Sequence, residues 1–176
     1  RANVLEALPQ PPSRHSREQL FAWLERQHLA VDPEGRILAF KAVRRSDAAE
    51  DAPRPFESIH AGNAFVDGEA FEGNIPQGVG SVVSMDRREV DDDFSQDCSY
   101  GLHVGSYSYA SGFGPNLTEV AVAPEDVVSV PRYAPNTLRV ATYEALAVPD
   151  AETPHPPHRD AEGHRAGGVE RRGVKL

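Results

Sequence analysis

The chain has 176 residues, of which 39% are hydrophobic and 26% charged, and its net charge is −9. This composition is typical of one soluble globular domain, and no run approaches the ~18 apolar residues that a membrane-spanning helix requires. The single cysteine excludes an internal disulfide, and the net negative charge argues against duplex nucleic acid as the main partner.

The charge is distributed unevenly along the chain. Residues 47–97 carry 13 acidic and 3 basic side chains, whereas residues 1–46 carry 5 acidic and 8 basic ones. A segment this acidic repels phosphate backbones, so a basic protein surface or a metal ion would suit it better. The chain also begins at Arg1 rather than at a methionine, which leads us to expect a fragment or a processed product.

A helix followed by a strand is predicted near the start. Ser16 and Gln19 have the spacing of a capping box, and the helix should end near His28, before the turn residues 32–35. Residues 36–45 (RILAFKAVRR) are apolar and β-branched enough to form a strand. The helix carries an apolar stripe made of Leu20, Phe21, Trp23 and Leu24.

The middle of the chain, from Ser46 to Gly80, is rich in glycine and proline and predicts turns and short strands. Its aromatic residues are expected to anchor these turns to the core. GSVVSMD predicts a further short strand, and Asp86–Glu89 has the N-cap and the third-position acid of a short helix. The expected anchors are Phe56, Phe65 and Phe71.

The remaining elements follow the only cysteine. SYSYASGF predicts a short helix whose aromatic side chains pack on the sheet, and LTEVAVA predicts a buried strand. PEDVVSVP predicts a helical turn and a short strand, and TLRVATYEALAV predicts one final strand.

Together these elements predict a single α+β domain over residues 13–148. It would consist of the N-terminal helix, a largely antiparallel twisted sheet and the loop-rich middle. Residues 1–12 form an N-terminal extension. Residues 149–176 are a Pro-, His- and Gly-rich tail with few large apolar side chains, so we expect it to be irregular and ordered only where a partner holds it.

Cys98 and His103 are a candidate catalytic pair. A cysteine nucleophile needs a lowered pKa, usually supplied by a nearby imidazole, and these residues flank the turn at Gly101. In an extended strand His103 can reach Cys98 but is not forced to do so. The favoured interpretation is therefore a buried cysteine that acts as a small hydrophobic residue, beside a hydrogen-bonded histidine.

The segment VDDDFSQDC is a candidate cation site with Asp91, Asp93 and Asp97 as its carboxylates. It lacks the alternating ligands, central glycine and terminal glutamate of a calcium loop. A solvated acidic turn whose carboxylates cap backbone amides is the favoured interpretation. Histidines 155, 158 and 164 of the tail are a further metal-binding alternative.

No cofactor is expected from the sequence. GNIPQGVGS lacks the Lys-Ser/Thr pair of a phosphate-binding loop and precedes a strand rather than a helix. GSYSYASG does not form the G-x-S-x-G motif of a serine hydrolase.

Several segments, taken in order, resemble the C-terminal region of the rIIB-like proteins of tailed bacteriophages. The resemblance covers about residues 13–146, and its most specific parts are VDDD followed closely by CSYGLHV, and PEDVVSVP. It implies a phage or prophage protein that is soluble or peripherally attached to a membrane and works in the infected cell beside a larger lysis-inhibition protein. It implies no catalytic residues. The insertion VDGEAFEGNIPQG, the tail and the lack of a longer N-terminal region depart from the family pattern.

A weaker similarity is to the outline of the ADP-ribosyltransferase fold. It would place Arg44 or Arg45 on the first strand, Ser106 near the middle one and Glu144 at the acidic position of the last strand. Glu144 would then orient a ribose hydroxyl. Strand order alone does not confer activity, so an inactive version of that fold is the form we consider.

Three functional hypotheses result. The first is a non-enzymatic phage accessory protein of the rIIB-like type that contacts a phage or host protein, in lysis inhibition or another host-interaction role. It would lie in the cytoplasm or at the inner-membrane periphery. The second is a structural virion component, associated with capsid or tail, whose C-terminal tail is ordered by neighbouring subunits. The third is the inactive ADP-ribosyltransferase-like fold.

Overall fold

The computed structural model describes residues 14–27, 29–97, 99–132 and 136–147. The predicted extension 1–12, the tail 149–176 and Cys98 lie outside the described residues. The described parts form two α-helices, α1 (Arg14–Gln27) and α2 (Tyr107–Ser111), with 3₁₀ turns at Arg87–Glu89 and Pro124–Asp126. The strands are β1 (Ile37–Arg45), β2 (Phe56–Val66), β3 (Glu69–Gln77), β4 (Val82–Ser84), β5 (Leu102–Gly105), β6 (Asn116–Val122), β7 (Val127–Ser129), β8 (Thr137–Val140) and β9 (Thr142–Ala145).

The predicted α+β class is wrong, because the fold is mainly β and is built on a closed five-stranded barrel. The ring runs β1-β2-β4-β9-β6 and returns to β1, and every neighbouring pair is antiparallel. Strand β3 extends the sheet from β2, while β5, β8 and β7 extend it from β1. The sheet is antiparallel as predicted, but local sequence patterns carry no information about its closure.

A bend in β2 allows the barrel to close. A ring of five straight strands cannot have antiparallel neighbours throughout, so at least one strand must change direction. The first residues of β2 pair with β1, as in Val43↔Ser58, whereas its last residues pair with β4, as in Phe65↔Ser84. The register of the β2–β3 ladder shifts between Glu57 and Ala61, and such a bulge bends and twists the strand locally.

A helix lies at Arg14–Gln27, near where one was predicted, but it begins before Ser16, so the predicted capping box does not mark its start. Leu20 and Trp23 are buried in the main core, because residues three apart share one face of a helix. Burying each of these side chains stabilises the fold by roughly 2 kcal/mol. The helix is thus one side element of a strand-dominated fold.

The prediction of a loop-rich middle is also wrong, because residues 56–77 form the long hairpin β2–β3. Its turn, Asp67-Gly68, has positive φ at both positions, +50° and +84°, which is the signature of a two-residue hairpin turn. Phe56 is buried as an anchor, but Phe65 is 44% exposed. Since Val66 points into the barrel, alternation along the strand turns Phe65 outward.

The predicted final strand is two strands separated by Ala141. Strand β8 pairs with β5 and β7, whereas β9 pairs with β4 and β6 in the barrel. The backbone amide of Ala141 donates to the Asp126 carbonyl, and its carbonyl accepts from the Met85 amide. One short segment therefore joins the barrel to the side strands.

Candidate functional site

A cleft of about 540 Å³ opens beside the barrel. We call it the basic cleft; residues of β1, β2, β5 and α2 form its walls. Ala64, Ile75, Val83 and Tyr143 contribute core side chains to its lining. The volume lies within the range of about 300–1,000 Å³ that small-ligand sites occupy.

Lys41 is the cation of the basic cleft. It lies in β1, where its neighbours Phe40 and Ala42 belong to a second apolar cluster on the opposite face of the strand. Its Nζ donates a hydrogen bond to the carbonyl of His103 at 2.9 Å and lies 5.6 Å from the centroid of the Tyr143 ring. Burial lowers the pKa of Lys41 to about 8, since a low-dielectric environment disfavours the charged amine.

His103 lies on β5 opposite Arg139. Its Nε2 is buried and has no hydrogen-bond partner among the described residues. Burial, reinforced by the positive charges of Lys41 and Arg139, lowers the pKa of His103 to about 4. The imidazole is therefore neutral at pH 7 and offers the cleft a polar group without a charge.

The floor and rim of the basic cleft differ in character. In the floor, the Tyr143 hydroxyl donates to Gln77 Oε1 at 2.8 Å, and burial raises the pKa of Tyr143. At the rim, Tyr100 and Phe113 are 46% and 47% exposed. The Phe113 ring stands edge-on to His60, with centroids 6.3 Å apart. The cleft thus joins a fixed polar floor to an open aromatic edge.

The candidate pair Cys98 and His103 stays a prediction, because Cys98 lies outside the described residues. His103 is one of the residues that line the basic cleft. The short helix α2 follows His103 as expected, capped by the Ser106 hydroxyl, which accepts from the Tyr109 amide at 3.3 Å.

The predicted acidic turn caps its own backbone. Asp91 accepts from the Asp93 amide at 2.9 Å and from the Ser99 hydroxyl, and these two bonds lower the pKa of Asp91. Asp93 in turn accepts from the amide and hydroxyl of Ser95. Within the described ranges, no group of three or more His, Asp or Glu side chains is placed to hold a metal ion.

Arg139 holds this turn and was missed by the sequence reasoning. It is completely buried and donates to the carbonyls of Asp91 at 2.7 Å, Asp93 at 3.2 Å and Gln96. The sequence reasoning also missed Lys41. Arg139 is the one cation of β8, and Lys41 stands between apolar residues in β1; such a pattern signals a buried charge but not its contacts.

Glu144 and Arg44 are not brought together. The Glu144 carboxylate accepts from Arg36 at 2.5 Å, and Arg36 also contacts Asp32 at 2.7 Å. Arg44 lies eight residues after Arg36 and pairs with Glu57. At about 3.3 Å per strand residue, Arg36 and Arg44 are roughly 26 Å apart along the chain. Glu144 of β9 therefore lies beside the start of β1, and Arg44 lies near its end.

Comparisons with known proteins agree with one another. A protein-family model described as "Bacteriophage T4 protein rIIB" matches residues 2–157. The protein named "Protein rIIB" of Enterobacteria phage T4 is 34% identical over 146 residues, covering 81% of this chain and 40% of that relative's length. No solved structure matches the chain. None of the described helices is both long and apolar enough to cross a membrane.

Proposed function

Because the chain belongs to the bacteriophage T4 rIIB family, we propose that it is a phage accessory protein that works by binding another protein in the infected cell. The role is non-enzymatic and belongs to lysis inhibition or to another interaction with the host. The partner is a phage or host protein, bound in the cytoplasm or at the inner-membrane periphery. The observation that carries this proposal is the family match, which extends over nearly the whole chain.

The charge distribution supports a partner with a basic surface. The acidic segment 47–97 includes the β2–β3 hairpin and the turn held by Arg139. Several of its carboxylates, including Glu72 and Asp92, are on the surface. A partner with a basic surface is attracted to such a region, and the attraction weakens as salt screens the charges.

The test is recovery of an affinity-tagged chain from cells infected by the source phage. Mass spectrometry of the captured material at low and high salt should show an enriched protein with a basic surface, held less strongly at high salt. The double variant Glu72→Gln, Asp92→Asn should capture less of it. The matched control is Glu34→Gln, Glu125→Gln, which removes two exposed charges outside the acidic segment.

Two outcomes would contradict the proposal. Stoichiometric recovery of the chain in gradient-purified virions would make it a structural component of the particle. Failure to enrich any protein from infected cells, with the folded chain recovered intact, would remove the contact function.

A further inference from the structure

The basic cleft has the opposite charge to the rest of the chain. The lining contains Lys41, His60 and His103, and none of the described residues that line it is an aspartate or glutamate. The chain as a whole has a net charge of −9. Lys41 is the one lysine or arginine among the described residues of this lining, and a cation without a neighbouring carboxylate favours an anion.

Lys41 lacks an anionic partner among the described residues. The ion pairs found there all use arginine, whereas Lys41 donates one hydrogen bond to a backbone carbonyl. An ammonium group carries three N–H donors. Two of them are therefore available to a group that enters the cleft.

The position of Lys41 is fixed by the fold. Its backbone pairs with Thr118 of β6, and the adjacent Phe40 pairs with Gly105 of β5. The His103 carbonyl and the Tyr143 ring then confine the ammonium group from two further strands. A cation held in this way needs little rearrangement to meet a ligand.

The other side of the cleft is suited to an apolar body. Tyr100 and Phe113 belong to the few large hydrophobic residues that the described fold leaves exposed, and both line the cleft. Tyr109 stands edge-on to Phe113 with ring centroids 5.1 Å apart. Ring faces and edges of this kind bind planar or aliphatic groups.

We propose that the basic cleft binds a small organic anion, whose carboxylate or phosphate contacts Lys41 Nζ and whose apolar body packs against Tyr100 and Phe113. The volume of about 540 Å³ accommodates a ligand of this size. This inference goes beyond the partner-binding function and is independent of it.

The test is an NMR titration of the ¹⁵N-labelled full chain with four probes. Phenylacetate and phenylphosphate present the two acidic groups on the same ring, phenylacetamide is the uncharged counterpart, and inorganic phosphate lacks the ring. Phenylacetate, phenylphosphate or both should shift the amides of residues 100–103 and 109–113 and bind at least about tenfold more tightly than phenylacetamide and inorganic phosphate, the factor that one charge-assisted contact supplies.

Variants identify the contact. Lys41→Met should weaken binding of the anionic probe about tenfold, whereas Lys41→Arg, which keeps the charge, should retain most of it. The matched control is Arg44→Met, three residues along the same strand, whose side chain is half exposed and pairs with Glu57 outside the cleft. Retained amide dispersion shows that each variant is folded.

The affinities of phenylacetate and phenylphosphate show whether the cleft prefers a carboxylate or a phosphate. Equal binding of phenylacetamide, unchanged binding in folded Lys41→Met, or no shift at millimolar concentrations of either anionic probe would overturn the proposal.

Discussion

Replacing Arg139 by methionine should loosen the acidic turn and lower the stability of the whole fold. The side chain is completely buried, and its guanidinium reaches three backbone carbonyls of the turn, those of Asp91, Asp93 and Gln96. Methionine is long enough to fill much of the space but has no donor. The three carbonyls would then lack a partner unless the turn moves outward to reach water.

The magnitude follows from the bonds that are lost. A hydrogen bond to a charged group contributes about 1.5–3 kcal/mol net, so three give at least about 4.5 kcal/mol before any compensation. Removing a buried cation recovers part of its desolvation cost, while movement of the turn would expose Val90 and Ala141. We therefore expect a loss of about 2–3 kcal/mol, a large share of the 5–15 kcal/mol that typically stabilises a domain.

Urea unfolding at neutral pH measures this difference by linear extrapolation. The control is Arg132→Met, which removes an exposed guanidinium that lies 4.7 Å from the centroid of the Phe94 ring in the same turn. An exposed contact of this kind contributes about 0.5–1 kcal/mol. If Arg139→Met costs no more than Arg132→Met, the guanidinium does not hold the turn.

Gly78→Ala should destabilise by about 3 kcal/mol, because its Cβ would lie 2.1 Å from the carbonyl oxygen of Pro53. Gly62→Ala places no heavy atom within 4 Å of the new Cβ, so its free energy of unfolding should change by no more than about 0.5 kcal/mol. Equal urea midpoints for Gly78→Ala and Gly62→Ala would contradict the packing argument. The stability of the protein should fall as the pH drops from 6.5 to 4, because the unfolded chain protonates His103 near 6.5 and the folded chain only near 4. The loss amounts to roughly 3 kcal/mol. In urea unfolding at several pH values, His103→Asn should reduce the dependence of the free energy of unfolding on pH. The same dependence in the variant and the original chain would be evidence against a buried neutral imidazole. Cys98→Ala should lower stability by about 1–2 kcal/mol and leave function intact, whereas loss of phage phenotype in the folded variant would restore the nucleophile hypothesis.

Local patterns predicted the individual elements better than their arrangement. The spacing of Leu20 and Trp23 depends on neighbours within one turn, so the helix could be predicted, although the capping signal at Ser16 placed its start too late. The pairing Val83↔Tyr143 joins residues sixty positions apart, and no local pattern specifies it. The hairpin was missed although Asp67-Gly68 carries its turn signal, because the surrounding glycines and prolines were weighed only as loop formers.

The contacts of the candidate site also join residues that are distant in sequence, so local patterns did not predict them. Lys41 and Arg139 are recognisable as cations within apolar strands, but the carbonyl that Lys41 contacts belongs to a residue 62 positions away. Arg139 contacts a carbonyl 48 positions away. The sequence therefore drew attention to Cys98 and the aspartates, whose chemistry is visible in the residue type. The charge of the cleft became apparent only when β1, β2 and β5 were placed together.

Opposite charges at the two proposed binding regions make their roles separable. The acidic segment 47–97 attracts a basic protein through exposed carboxylates, whereas Lys41 attracts an anion from within a partly enclosed cleft. Salt screens exposed charges strongly and partly buried ones less. Raising the ionic strength should therefore release the protein partner well before it weakens anion binding. A parallel loss of both activities would mean that the cleft and the acidic surface form a single interface.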